Sequence, residues 1–327
     1  MTDATIALPV KKVLLLGATG TIGRATARAL VDAGHETVCV VRHGSAGHTL
    51  PMACQVRQMD ETDAKAIAHG ISGERFDAVI SCLASRTGVP GDAWSIDHGA
   101  NMAALAAAKA ASIPHFIVLS AICVQKPHLA FQHAKLAFEA VLKDSGLLWT
   151  IVRPTAFFKS LSGQVDRVNA GKPFMVFGDG RLTACKPISD RDLAVFLVAC
   201  LTDADRQNRV IPIGGPGPAI TPLDQATYLF DRLGRPSKIT KVSPSLLSTV
   251  AGILGPFGMI APILAEKAAL ARIGHYYATE SMLVWDEAAK RYDAGATPET
   301  GSDTLFRHYD RLIAGTAADD RGAHAVF

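Results

Sequence analysis

Six short apolar runs alternate with helix-like segments in the first half of the chain, and a glycine-rich loop joins the first run to the first helix. Together these predict an α/β fold, a Rossmann-type doubly wound parallel sheet with right-handed crossovers. The 327 residues are 49% hydrophobic and 19% charged. That suits one large core with a smaller C-terminal substrate domain. Aromatics are only 6% and alanine is abundant, as in close-packed helix–sheet layers.

The first strand is Lys11–Leu16, stopping at Gly17. Arg24–Ala33 reads as a helix ended by Gly34. Thr37–Val41 is the second strand and Cys54–Met59 a weaker third, followed by a helix near Ala64–His69. Phe76–Leu83 is the fourth, with a long alanine-rich helix from about Trp94 to Ala111. Phe116–Ser120 is the fifth, with a helix over Gln132–Asp144 ending near Gly146. Trp149–Arg153 is the sixth, stopped by Pro154.

Beyond Pro154 the alternation loosens. Pro173–Gly180 reads as strand and turn, and Asp190–Leu201 as a helix that Asp190 can cap. Val210–Ile213 is a strand. Thr221–Leu233 is a helix with Thr221 as N-cap and Pro222 at its first position. Residues 1–156 are therefore expected to form the dinucleotide-binding part, with segments near 185–215 returning to it. Residues 157–327 are expected to be mostly substrate-binding. Residues 245–265 carry no charge, and Gly252, Gly255, Pro256, Gly258 and Pro262 break them into two short helices. Three readings stand for this stretch: a membrane span, a buried helix pair, or an apolar wall or lid with peripheral membrane contact.

Net charge is +3, with no block of like charge. This argues against nucleic-acid binding and leaves room for an anionic ligand. Cysteines 39, 54, 82, 123, 185 and 200 have no C-x-x-C spacing, so buried free thiols and no metal site are expected. Met1–Val10 shows no basic stretch followed by an apolar core, so no secretory signal and a cytoplasmic location are expected.

The loop Gly17-Ala18-Thr19-Gly20-Thr21-Ile22-Gly23 has G-x-x-G-x-x-G spacing. Gly17 allows the tight turn, Gly20 a close approach of backbone to a pyrophosphate, and Gly23 packing of helix on strand. The helix start adds free N–H groups and a positive dipole end. Thr19, Thr21 and Ile22 belong to this cradle. At the end of the second strand an acidic residue would hold ribose hydroxyls and repel a 2′-phosphate. Arg42 stands there instead, followed by His43 and Ser45. Its guanidinium favours NADPH, with a solvated surface arginine as the alternative. Asp60, Leu83, Ala84, Ser120, Pro154, Thr155 and Ala156 close the other strands, where ligands of such sheets sit.

Phe131-Gln132-His133-Ala134-Lys135 follows the fifth strand. Lys135 is expected at the nicotinamide ribose, setting a positive field near the hydride. A Tyr-x-x-x-Lys pair would be usual in short-chain dehydrogenases, but the tyrosine position holds Phe131, which has no proton to give.

Gly17-x-x-Gly20-x-x-Gly23, Arg42 and Phe131-x-x-x-Lys135 resemble the atypical short-chain dehydrogenases, near isoflavone-reductase-like and NmrA-like proteins. Longer stretches are more specific: 119–127, 131–139, 153–165, 177–187 and 276–285. They resemble the NADPH-dependent divinyl chlorophyllide a 8-vinyl-reductases, and the likeness runs from about Lys12 to the C-terminal His324-Ala-Val-Phe327. This resemblance implies reduction of the C8 vinyl group of a magnesium tetrapyrrole, divinyl chlorophyllide or protochlorophyllide, to ethyl. A reductase of another conjugated substrate and a non-catalytic NADP-binding sensor or assembly factor are the alternatives.

The implied chemistry accounts for Phe131. Hydride addition to a vinyl terminus leaves charge conjugated with the macrocycle, so no oxyanion needs quenching. A proton must still arrive, and water, His133, Lys135 and Lys159 are the candidates. Phe131, Phe157, Phe158, Phe174 and the 245–265 segment are candidate apolar faces for a flat chlorin. Lys159, Arg181 or Lys186 could meet its carboxylate. Eleven histidines leave any axial ligand of the magnesium unassigned.

Overall fold

A computed structural model describes residues 9–44, 47–256 and 261–317. Ser45, residues 1–8, residues 257–260 of the uncharged stretch and the 324–327 terminus lie outside the described residues. The chain runs β1 (Lys12–Leu16), α1 (Thr21–Asp32), β2 (Glu36–Val41), β3 (Gln55–Gln58), α2 (Ala64–Gly70) and β4 (Ala78–Ser81). Then come α3 (Pro90–Ala93), a π-helical segment (Trp94–Ala100), α4 (Asn101–Ala110), β5 (His115–Leu119), α5 (Ala130–Lys143) and β6 (Leu148–Pro154). After these follow α6 (Phe158–Leu161), α7 (Val165–Asn169), β7 (Phe174–Phe177), α8 (Asp190–Ala199), β8 (Arg209–Ile213), α9 (Pro222–Arg232) and β9 (Ile239–Val242). The last elements are α10 (Ser245–Leu254), α11 (Pro262–Thr279), β10 (Val284–Asp286), β11 (Arg291–Asp293) and α12 (Leu305–Ile313).

Seven strands form one parallel sheet in the order β3-β2-β1-β4-β5-β6-β8. Both faces are covered, which is why the strands are continuous apolar runs. Along β1, Val13 and Leu15 enter the core under α1 and α8, while Leu14 and Leu16 enter the core under α2, α4 and α5. A third apolar cluster joins α7, β7, α9 and α12. A fourth lies between α3, α5 and α11.

Several elements differ from expectation. The helix expected at Arg24 begins at Thr21, because Gly20 caps it through backbone alone. The N-cap of α8 is Ser189, whose side chain accepts the Asp192 N–H; Asp190 is the first helical residue. The first turns of the alanine-rich helix, Trp94–Ala100, are π-helical, and only Asn101–Ala110 is α-helical. Thr221 caps α9 as expected, in a capping box with Asp224.

The uncharged stretch is not a buried helix pair. Leu246, Val250, Ile253 and Ile263 are exposed, and of α10 only Ala251 is buried. α11 runs on past the charged Glu266 and Lys267. Among the described residues no helix is long and apolar enough to cross a membrane.

Candidate active site

The sheet reverses its strand order between β1 and β4, so the chain leaves their carboxyl ends in opposite directions and opens a crevice there. Gly17 adopts φ +69°, and a Cβ on it would lie 2.7 Å from the Cys82 carbonyl. A Cβ on Gly23 would lie 2.1 Å from the Gly17 oxygen. Both positions are thus closed to any side chain. Gly20 is different: it is exposed, and its Cβ would meet only the Gly17 oxygen at 3.3 Å.

The N-terminus of α1 has no side-chain cap and no acidic residue in its first turn. Its N–H groups therefore remain available to an anion. Lys159 brings an ammonium to the same place, donating to the Thr21 hydroxyl at 3.1 Å. Arg24 donates to the Thr19 carbonyl at 2.6 Å. Donors and positive charge around an open glycine fit a pyrophosphate.

Glu61, which sequence reasoning missed, braces this loop from below. It is buried, accepts the Gly17 N–H at 2.9 Å and lies 3.8 Å from the Arg42 Nε. Burial pushes its carboxyl above the usual range, while the Gly17 N–H and Arg42 oppose the shift. Arg42 is half exposed, 52%, with Asp60 nearby. Asp60 is itself exposed, and hydrogen bonds from Thr62 hold its carboxyl below the ordinary value, helped by Arg42 and His43.

Lys135 lies on the buried face of α5. Its Nζ is 2.8 Å from Asp97 Oδ1, and Asp97 is 1% exposed. Ser85 donates its hydroxyl to Asp97 Oδ2 at 2.6 Å. Asp97 sits in the π-helical turn, a distortion often found at functional sites. One turn before Lys135, Phe131 packs into the fourth cluster, against Gly88 and close to Ile273.

Other expected contacts are corrected. His133 is exposed; two residues from Phe131 and Lys135, it is turned about 200° around α5, away from the site. Ser120 spends its hydroxyl on buried Glu139 at 2.5 Å, and Glu139 also pairs with Arg153. That network ties β5, α5 and β6 together and leaves the Ser120 hydroxyl committed. Phe158 and Phe174 are core residues beside Val165 and Tyr309, not pocket walls. Phe157, its side chain partly buried, leans on the core under α1 and α8. Lys159 is at the phosphate cradle, not among apolar side chains. Lys186 is held by the Thr297 carbonyl and Glu299. Arg181 is exposed in the turn after β7.

The remaining strand-end residues differ in exposure and in their hydrogen bonds. Leu83 is buried, its backbone N against the Gly17 position, and Ala84 is exposed. Pro154 ends β6, the Thr155 hydroxyl donates to the Lys186 carbonyl, and Ala156 accepts from the Ile188 N–H at 2.9 Å. Ile22 is buried in the core under α1.

Residues 17–204 match the NAD(P)H-binding family model. Divinyl chlorophyllide a 8-vinyl-reductase of Oryza sativa subsp. indica is 43% identical over 96% of this chain and 82% of its own length. The protein of the same name from Arabidopsis thaliana is 43% identical over 95% of this chain and 79% of its own length. Among solved structures, the leucoanthocyanidin reductase–NADPH complex of Vitis vinifera superposes with a TM-score of 0.68. It is 17% identical and covers 93% of this chain and 99% of its own, a likeness of fold. The chain belongs to the NAD(P)H-binding family and, within it, to the divinyl chlorophyllide a 8-vinyl-reductases.

Proposed function

We propose that the chain reduces the C8 vinyl group of divinyl chlorophyllide or protochlorophyllide to ethyl, with NADPH as donor, in chlorophyll or bacteriochlorophyll synthesis. The observation that carries the reading is the Lys135–Asp97 pair, buried beside a phenylalanine where a carbonyl reductase would need a phenol. With no phenol at position 131 to quench an oxyanion, the site suits a substrate whose own conjugation accepts the developing charge.

Bound NADPH would supply the hydride. Gly17, Thr19, Gly20, Thr21, Ile22 and Gly23 with Lys159 would hold the pyrophosphate, and Arg42 the 2′-phosphate, with Asp60 at the adenosine end. Leu83, Ala84, Pro154, Thr155 and Ala156 would flank the nicotinamide half. Lys135, oriented by Asp97, would bind the ribose and keep positive charge near the reacting carbon. The low-dielectric surroundings strengthen that field.

Residues 1–156 with α8 and β8 would bind cofactor, and the rest of 157–327 would mostly bind substrate. The exposed apolar residues of α10, with Ile263, would form a wall for the flat macrocycle or a peripheral contact with a membrane from the cytoplasmic side. Flotation with lipid vesicles tests that contact; protein remaining wholly in the dense fraction would count against it.

The activity itself is tested by mixing protein, NADPH and verified divinyl chlorophyllide. A blue shift of the Soret band is expected, and an unchanged band would overturn the reading. The cofactor assignment makes a separate prediction. Arg42→Glu replaces a phosphate partner by a like charge and should lower the NADPH-to-NADH preference in kcat/KM by about 100-fold. An unchanged ratio would remove Arg42 from the 2′-phosphate.

A further inference from the structure

Tyr276 and Tyr277 are neighbours on α11 with different surroundings. Tyr276 is buried, and its hydroxyl donates to the Cys123 carbonyl at 2.9 Å and the Lys126 carbonyl at 3.1 Å. Those bonds pin α11 to the turn after β5. Tyr277 as a whole is 41% exposed, yet its hydroxyl points inward, 4.0 Å from the Cys123 sulfur. Among the described residues that weak thiol contact is the hydroxyl's hydrogen-bonding partner. A hydroxyl whose partner is a weak thiol contact can turn to a substrate seated against the exposed part of the residue.

The location is the Lys135 end of the crevice. Gln132 of α5, three residues before Lys135, donates to the Cys123 carbonyl at 2.9 Å, so the Tyr277 hydroxyl at Cys123 lies beside the part of α5 that carries Lys135. One turn before Tyr277 on α11, Ile273 closes on Gly88 beside Phe131; one turn after Phe131 on α5 comes Lys135. Phe131 and Ile273 thus meet at Gly88, and Tyr277 follows one turn along α11.

We propose that Tyr277 is the proton donor of the vinyl reduction, the phenol missing at position 131 being supplied from α11. The inference rests on the vinyl-reductase reading. Hydride arriving at the terminal vinyl carbon forms one C–H bond, and the π pair moves to the adjacent carbon and into the macrocycle. The Tyr277 O–H bond then breaks, and its proton forms the second C–H bond. The phenolate left behind regains a proton from water. The substrate gains two electrons and two hydrogens, and NADPH leaves as NADP+. Burial, ahead of the Cys123 contact and the Asp97 carboxylate, pushes the phenol well above its usual pKa, so it stays protonated at neutral pH. It gives up its proton to the carbanion that hydride addition leaves conjugated with the macrocycle.

The test compares wild type, Tyr277→Phe and Tyr276→Phe. Tyr277→Phe should lose about 100-fold or more in kcat, while KM, NADPH Kd and Tm change little, because only a thiol contact is lost. Tyr276→Phe should lower Tm through its two lost buried bonds and keep most of kcat. Wild-type kcat in Tyr277→Phe, beside an active wild type, would overturn this inference alone. A fall in kcat matched by equal losses of NADPH binding and Tm would overturn it too, as a structural role. An inactive wild type would overturn the vinyl-reductase reading and this inference with it.

Discussion

Lys135→Met should lower kcat/KM for the vinyl substrate by about 100-fold or more, with weaker NADPH binding. The substitution also strands Asp97, which is 1% exposed, without its counter-charge. Leaving a buried charge unpaired costs about 3–5 kcal/mol, so a loss of stability is expected as well. The double variant Lys135→Met with Asp97→Asn separates the two effects. Neutralising both partners should recover much of the stability, measured by denaturant unfolding, while turnover stays lost. An asparagine at 97 can still accept from the Ser85 hydroxyl, which keeps the π-helical turn anchored. Full turnover and full NADPH affinity in Lys135→Met would remove the lysine from the mechanism.

Gly23→Ala should abolish tight cofactor binding. Its methyl would land 2.1 Å from the Gly17 oxygen and 2.9 Å from the Ala18 Cα, so the loop must shift. Overpacking of this kind costs about 1–3 kcal/mol, and each ~1.4 kcal/mol is tenfold in affinity. Titration calorimetry with NADPH should show at least a tenfold weaker Kd and a lower Tm. Gly20→Ala is the informative contrast. Its methyl meets little in the free protein, so Tm should hold while NADPH affinity falls, as expected where the loop backbone approaches the pyrophosphate. If Gly20→Ala bound NADPH as the wild type does, the pyrophosphate would not sit where the loop suggests.

Much of the fold was readable in the sequence, for physical reasons that differ by element. The β1–loop–α1 unit was legible because only glycine tolerates the positions of residues 17 and 23, and the spacing exposes that requirement. The strands were legible because a parallel sheet buried on both faces needs unbroken apolar runs, as β1 and β5 have. The start of α1 was not, because its cap is a bare glycine backbone. His133 could have been set aside by helical arithmetic alone, since Phe131 and Lys135 define the buried face. Phe157 and Phe158 could not be told apart, because adjacent residues at the start of α6 fall into two different apolar clusters. Asp97 was hidden inside an alanine-rich run, where a carboxylate usually points to water; only the π-helical turn and Lys135 explain its burial. The 245–265 stretch misled through hydropathy, which reports apolar content but not which side of a helix is covered.

The central claim is that this site delivers a hydride to a vinyl group conjugated with a large ring. The most direct test is one turnover with NADPH deuterated at the transferable nicotinamide position, followed by mass analysis of the tetrapyrrole. The account predicts a product two hydrogens richer than the divinyl substrate, with one deuterium in its new ethyl group. Reduced product without deuterium, or deuterium in the macrocycle instead of the ethyl group, would contradict it.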